Sequence, residues 1–479
     1  MEFLPDDNET PILIGQAGHA TGDIFSVATT LVGDERIHVV ISEYEGDKRT
    51  TAIKDFYRQS KIAEDRILGL KTEKTEENVA GKLKNDGIML YKEKIKQLGG
   101  DETKIQYVSV QGATEWVAKN YSVALQEKLK NAWEVNGSKD PQIKEWLNSK
   151  GIKDEVNNVL VLWSRFSGKN GEIHLEHDSS YTGIKQILEK VAEKYDAVII
   201  TGDKRYNTGN KEDNARKEKK YDDIAKVINS QFDTPRVFNL TEFWKDITDP
   251  LLLAWLREND RIGQFKLYDY LSRTCKNVQH LGFRSGNLEA MALLGNWVRY
   301  MEEPVSKGGE RMTMWDENSE VKVKEGGIKP QYKRLLVQKV STNSGKWLKD
   351  NIAAVQTEID LIHTEREKDQ KTKQMISAPL KIITNKIKKG VSSKLNSVEM
   401  DEHQKAEYER VLAGIHEREE VFKRDISKLE MKKDQYIRPD EDIRRLIKEG
   451  KAKEGKGFTP EDLNEITKIL FSRLSESQD

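Results

Sequence analysis

Apolar and polar positions over the first 345 residues follow a strand, turn and helix rhythm. Ile12-Leu13-Ile14 reads as a strand, Ile24 to about Leu31 has helical spacing, and His38 to Ser42 returns to a strand, which together make a β-loop-α-β unit. Residues 51–97, rich in lysine and glutamate, predict two exposed helices, followed by a strand at 105–110 and a helix from Ala113 to about Trp133. Few apolar residues fall between Asn136 and Glu155, the expected boundary. The continuous run Val159-Leu160-Val161-Leu162-Trp163 then matches a strand buried in a parallel sheet. Helices expected over 183–194, 221–230, 240–245 and 261–273 alternate with strands at 197–200, 236–239 and 278–283, with a basic loop at 204–220. This alternation implies right-handed crossovers and parallel sheets.

The clearest stretch is 278–303. Strand Val278–Phe283 runs into Arg284-Ser285-Gly286-Asn287, Leu288, Met291, Ala292 and Leu294 share a helix face, Gly295 ends that helix, and Val298–Met301 resumes a strand. From Trp347 onward the chain is charged and helix-forming, with apolar residues at helical spacing (Ile352, Val355, Ile359; later Val411, Ile415, Ile426). Pro379 and the Gly390–Ser397 stretch are expected to interrupt it, and Thr459-Pro460-Glu461-Asp462 opens a last helix. Three domains follow: residues 1–155 and 156–346, each Rossmann-like, and a charged α-helical region at 347–479.

Composition narrows the partners. Eighty basic residues against 81 acidic ones give a formal net charge of -1, which disfavours nucleic acid as the ligand of the whole chain. Charged residues make up 34%, above the roughly 25% of average domains, so much of the surplus belongs to solvated helix surface. The single Cys275 excludes an internal disulfide and fits a reducing cytoplasm. No window predicts a membrane span.

Candidate chemistry gathers at turns after strands. A helix opening on Ser285-Gly286-Asn287 offers unpaired N–H groups and a positive dipole end to an anion, with Arg284 beside it. Gly15, Gly18 and Gly22 follow the first strand with spacing that is not GxGxxG, reading either as ligand approach or as a tight turn. Candidates for moving a proton are His19 and Asp23 in that loop, and His177 and Asp178, beside His174, in the second domain; Asp23 reads equally as a helix cap, and Asp178 as part of a capping segment. Asp203 ends a strand at the edge where open sheets bind ligands, Glu302 and Glu303 end another, and Arg311 is a further phosphate contact. The histidine pair has no cysteine partner, so no metal is expected. The basic segment Lys381–Lys394 reads as solvated surface.

Two successive α/β domains, a Gly-rich loop after the first strand and the segment Ser285-Gly286 to Glu289-Ala290 resemble the GT-B class of nucleotide-sugar glycosyltransferases over residues 11–345. The resemblance implies a metal-independent transfer from a UDP- or GDP-linked sugar to a protein or small-molecule acceptor, with no tightly bound cofactor. It places Arg165, Arg284, Ser285, Gly286 and Asn287 at the diphosphate, Lys169 assisting, and Glu289 near a ribose. Trp163-Ser164-Arg165 departs from the His-x-Arg expected of fucosyltransferase-like members. Two other readings stay open: a nucleotide-sugar epimerase-like enzyme, and a non-catalytic α/β scaffold whose helical tail binds a partner protein or a second copy.

Overall fold

Two parallel sheets carry the buried apolar runs. The computed structural model describes residues 10–44, 46–73, 78–97, 103–166, 179–205, 211–246, 248–257, 261–303, 309–316, 318–338, 344–388, 402–448 and 457–476. Around the first sheet lie β1 (Ile12–Gln16), α1 (Ile24–Gly33), β2 (Ile37–Glu43), α2 (Lys48–Gln59), β3 (Ile67–Lys71), α3 (Val79–Gln97), β4 (Gln106–Ser109), α4 (Val110–Asn120), α5 (Val123–Ala132) and α6 (Asp140–Ser149). Around the second lie β5 (Asn158–Ser164), α7 (Tyr181–Val191), β6 (Ala197–Gly202), α8 (Lys211–Glu218), α9 (Lys220–Asn229), β7 (Val237–Asn239), α10 (Pro250–Leu253), α11 (Phe265–Thr274), β8 (Asn277–Phe283), α12 (Gly286–Leu293), β9 (Trp297–Glu302) and β10 (Tyr332–Leu336). The helices α13 (Ser344–Lys388), α14 (Glu402–Lys448) and α15 (Pro460–Glu476) follow.

The first sheet has the order β3-β2-β1-β4 and the second β10-β9-β8-β5-β6-β7, with the recorded pairs parallel. In both, the strand order reverses beside the first strand: between β1 and β4, and between β5 and β8. Open α/β sheets bind ligands at such switch points, outside the carboxyl ends of the strands.

The chain divides into two compact units, residues 1–339 with 456–479, and residues 340–455. In the first unit one apolar core joins the two sheets, through Phe25, Phe56, Trp133 and Phe265, whose adjacent rings lie 5.1 to 6.1 Å apart. Burying each such side chain contributes roughly 1.5–3 kcal/mol. Polar ties reinforce the junction: Tyr121 Oη donates to Leu293 O (2.8 Å), Gln126 Nε2 to Leu294 O (2.9 Å) and Trp315 Nε1 to Thr114 O (3.1 Å).

Several expectations are corrected. Residues 51–97 form α2 and α3 with β3 between them, an edge strand paired with β2. The single helix expected over 113–133 is α4 and α5, separated where Ser122 Oγ accepts from Leu125 N (3.2 Å) and caps a new helix. The expected boundary holds α6, opened by Pro141 and burying Ile143, Trp146 and Leu147. The loop at 204–220 includes α8, the helix expected at 240–245 is one 3-10 turn at Phe243–Lys245, and α11 begins at Phe265 rather than at residue 261.

The helical region 347–479 is not one body. Helix α15 packs against α7 and buries Ile466 and Leu470 in the second sheet's core, while Phe458 stacks on Phe283 (6.0 Å). Its start is a reciprocal cap, in which Asp462 N donates to Thr459 Oγ1 and Thr459 N to Asp462 Oδ2, both at 3.1 Å. In the second unit α13 and α14 run antiparallel, bury Val355, Ile359, Ile415 and Ile426, and pair Arg366 with Glu419 (3.3 Å) and Arg418 with Asp369 (2.8 Å). Helix α13 continues past Pro379 to Lys388, since a proline removes one backbone donor without always ending a helix. No described helix is long and apolar enough to cross a membrane.

Candidate functional site

The loop after β1 is held from three sides. Gln16, fully buried, accepts from the Tyr57 hydroxyl and donates to Ala20 O (3.2 Å). Gly18 N donates to Ser42 Oγ (2.9 Å), and Thr50 Oγ1 to Gly18 O (3.4 Å). Packing accounts for two of the glycines: a Cβ at Gly15 would overlap the Tyr107 hydroxyl, and one at Gly18 would overlap Ser42 O. Gly22 instead faces open space. His19 is exposed. Asp23 occupies the N-cap of α1 but makes no capping hydrogen bond; its carboxylate pairs with Arg311.

Across the junction, the ends of β5, β6 and β8 shape a second loop cluster. Arg165 N donates to Ser179 Oγ (2.9 Å), Phe166 N to Asp203 Oδ2 (2.9 Å) and Asp203 N to Ser164 O (2.9 Å), so Asp203 fixes the turn that carries Arg165. Burial pushes the Asp203 carboxyl up, and the Phe166 amide works against that shift. The Arg165 guanidinium spans the β5/β8 switch point and donates to Arg284 O.

Arg284 lies 2.9 Å from Glu302 Oε1, and Arg334 lies 3.0 Å from Glu302 Oε2. Ser285 Oγ accepts from Leu288 N (3.4 Å) at the N-cap of α12, leaving the earlier amides of that turn without a capping side chain. Asn287 Oδ1 is buried with no hydrogen-bond partner among the described residues.

Glu289 joins the two halves. It is 2% exposed, and its Oε1 lies 3.2 Å from Arg311 Nη2, the same guanidinium that reaches Asp23. Burial raises its pKa to about 7, with Arg311 pulling it down and Asp23 pushing it up. Burial works to lower the pKa of Arg311, but the Glu289 and Asp23 carboxylates outweigh it and keep the guanidinium charged. Nearby, the stacked rings of Tyr300 and Tyr332 (4.3 Å) carry buried hydroxyls that have no partner among the described residues.

The two helix starts meet directly: a Cβ at Gly286 would lie 2.9 Å from Gly22 O and 3.0 Å from the Phe25 ring. The structure thus brings Gly22, Asp23, Arg165, Asp203, Arg284, Ser285, Gly286, Asn287, Glu289 and Arg311 to one junction. It does not bring Gly15 and Gly18 there as open positions. Arg311 is engaged by two carboxylates, and Arg284 by one. Lys169, His174, His177 and Asp178 lie outside the described residues. Among the described residues no group of three or more His, Cys, Asp or Glu side chains could hold a metal ion. Trp163, where a histidine-bearing motif was expected, is core: its Nε1 donates to the buried His280 Nδ1 (3.0 Å).

Sequence reading missed Arg334, Tyr332 and Arg261. The alternation through Tyr332-Lys333-Arg334-Leu335 was the available signal for the first two; nothing in the sequence marked Arg261.

No protein-family model matches the sequence, and no curated protein matches it. Among solved structures, the chain is similar to the N-terminal domain of trehalose-6-phosphate phosphatase from Candida albicans. The two share 9% identity, the match covers 63% of this chain and 84% of that one, and the TM-score is 0.27.

Proposed function

We propose that the chain is a glycosyltransferase of the GT-B plan, taking a sugar from a nucleotide-sugar donor without a metal ion. One observation carries the reading: the starts of α1 and α12, each following a strand at its sheet's switch point, abut at Gly22 and Gly286. A diphosphate at α12 would meet the amides of Gly286 and Asn287 and the guanidinium of Arg165, and Lys169, four positions on in the sequence, belongs to the same proposal. Arg284 and Arg311, already paired with Glu302 and with Asp23 and Glu289, hold the two loops behind that position in place. Charge developing on the leaving phosphate oxygens is then met by donors that need no reorganisation.

In the transfer step an acceptor hydroxyl oxygen bonds to the anomeric carbon, the bond from that carbon to the diphosphate oxygen breaks, and the hydroxyl proton goes to a base. His19, exposed on the first loop, is the base assigned here, with Asp23 four positions on in the same loop; His177 and Asp178 belong to the same proposal as sequence candidates.

Calorimetric titration with UDP, GDP, ADP and CMP tests the reading. One nucleotide is expected to bind, and Arg165→Met to weaken it about tenfold or more, at least the ~1.5 kcal/mol of one hydrogen bond to a charged group. No binding by any of them overturns it.

A further inference from the structure

One guanidinium at the junction has no counter-charge among the described residues. Arg261 stands half-buried just before α11, and among the described residues its side chain makes no hydrogen bond or ion pair. Its recorded neighbour is the ring of Phe25, 5.2 Å from Cζ to the ring centroid. Burial alone lowers its pKa, to about 10, with no carboxylate acting the other way. The other arginines of the first unit's interior are matched: Arg311 and Arg284 by carboxylates, and Arg66 by the carbonyls of Leu31, Asp34 and Ile37.

A desolvated guanidinium with its fork of donors unused is unfavourable. A cation–π contact recovers only ~0.5–2 kcal/mol of that. Phe25 locates the group, because it is the second residue of α1 and its ring also touches the Gly286 position. In the same first turn, Asp23 provides no cap, Gly22 faces open space, and Ser26 Oγ is buried without a partner among the described residues. An uncapped helix start and an orphaned hydroxyl therefore share one turn, the unpaired guanidinium packs on the Phe25 ring of that turn, and an anion satisfies the helix start and the guanidinium together.

We propose that Arg261 and the first turn of α1 form a second anion subsite, which takes a phosphoryl group of the ligand on the side of the first sheet. Its place in a substrate cleft rests on the transferase reading; its anion chemistry does not. The phosphoryl group belongs either to the donor's diphosphate or to a phosphorylated acceptor.

Titration of the full chain with pyrophosphate, UDP and ribose 5-phosphate, repeated with Arg261→Met and Arg261→Lys, tests this. Arg261→Met is expected to weaken binding about tenfold or more, and Arg261→Lys less, because the charge survives without the fork. Ligand-free Arg261→Met is expected to melt no lower than the wild type, since no internal partner is lost. A loss confined to UDP and pyrophosphate assigns the donor, and a loss confined to ribose 5-phosphate assigns the acceptor. Equal binding of all three by wild type and Arg261→Met overturns the subsite, as does failure of all three to bind the wild type or a marked fall in the ligand-free melting temperature. UDP binding that ignores Arg261 leaves the transferase reading standing alone. Arg261-dependent binding of pyrophosphate with no nucleotide binding leaves the subsite standing alone.

Discussion

Replacing Arg311 by methionine removes the cation between Glu289 and Asp23 while keeping most of the side-chain volume. Asp23 keeps 22% of its side chain exposed and can regain water; Glu289, at 3%, cannot. Removing one partner of a buried ion pair costs ~3–5 kcal/mol, but here a proton can stand in for the arginine. The Glu289 pKa is already raised to about 7 with Arg311 present, so it rises further in the variant. A carboxyl group that holds its proton more tightly when folded contributes fully below its unfolded pKa of about 4.5, and that stability is lost as the pH rises through the folded value, at ~1.4 kcal/mol per unit. In the wild type the loss is spread between pH 4.5 and about 7; in Arg311→Met it extends above pH 7. The variant's deficit is therefore expected to be ~1–2 kcal/mol at pH 6 and about 1.4 kcal/mol larger at pH 8, where the wild-type Glu289 has ionised and the variant's has not. Urea unfolding followed by tryptophan fluorescence measures it, because every tryptophan but Trp347 lies in the unit that holds the two sheets. Adding Glu289→Gln should flatten the pH dependence and recover ~2 kcal/mol at pH 8. Equal deficits at both pH values, or no recovery in the double variant, would refute the reasoning.

Acid should act on two buried histidines with the opposite sign. Burial lowers the pKa of His38 to about 4 and that of His280 to about 3, so stability is whole above pH 6.5 and falls below it by up to ~1.4 kcal/mol per unit for each. Melting temperatures between pH 7 and 5 should fall less steeply in His280→Gln than in the wild type. The helical pair should also be dispensable for the sheets: Gln338 N donates to Asp462 Oδ1 (2.7 Å), so a short Gly/Ser linker can replace residues 340–455. The shortened chain is expected to keep the near-ultraviolet dichroism of its buried tryptophans and to bind ligands with unchanged affinity.

The sequence was legible where one segment carries its own explanation. The 278–303 stretch reads correctly because a fully buried strand, a Ser-Gly turn and a small-residue helix each leave a local mark. Among the edge strands, β4 and β7 were legible but β3 and β10 were not, since the mixed burial of these two resembles helix surface. The division at Tyr121-Ser122 was hidden because α4 and α5 both present apolar residues at helical spacing. The site was legible only in its halves. Arg311 reaches Asp23 across 288 positions of chain, and sequence spacing says nothing about which loops of two sheets will meet. Gly15 and Gly18 looked like ligand contacts because a packing glycine and a binding glycine are the same residue type. Arg261 left no trace at all, since its distinction is the partner it lacks among the described residues.

The position of α15 constrains how the chain matures. Its residues complete the core under the second sheet, yet they are made only after the whole of the helical pair. During synthesis the strands from β5 to β10 emerge, and the surface destined for Phe458, Ile466 and Leu470 stays uncovered while residues 340–455 are added, on the order of 10 s at roughly 5–20 residues per second. A nascent chain stalled anywhere in that interval exposes an apolar sheet face beside an unfinished helix. Chaperone capture and premature aggregation are therefore expected to concentrate in that window, well after the first sheet has closed.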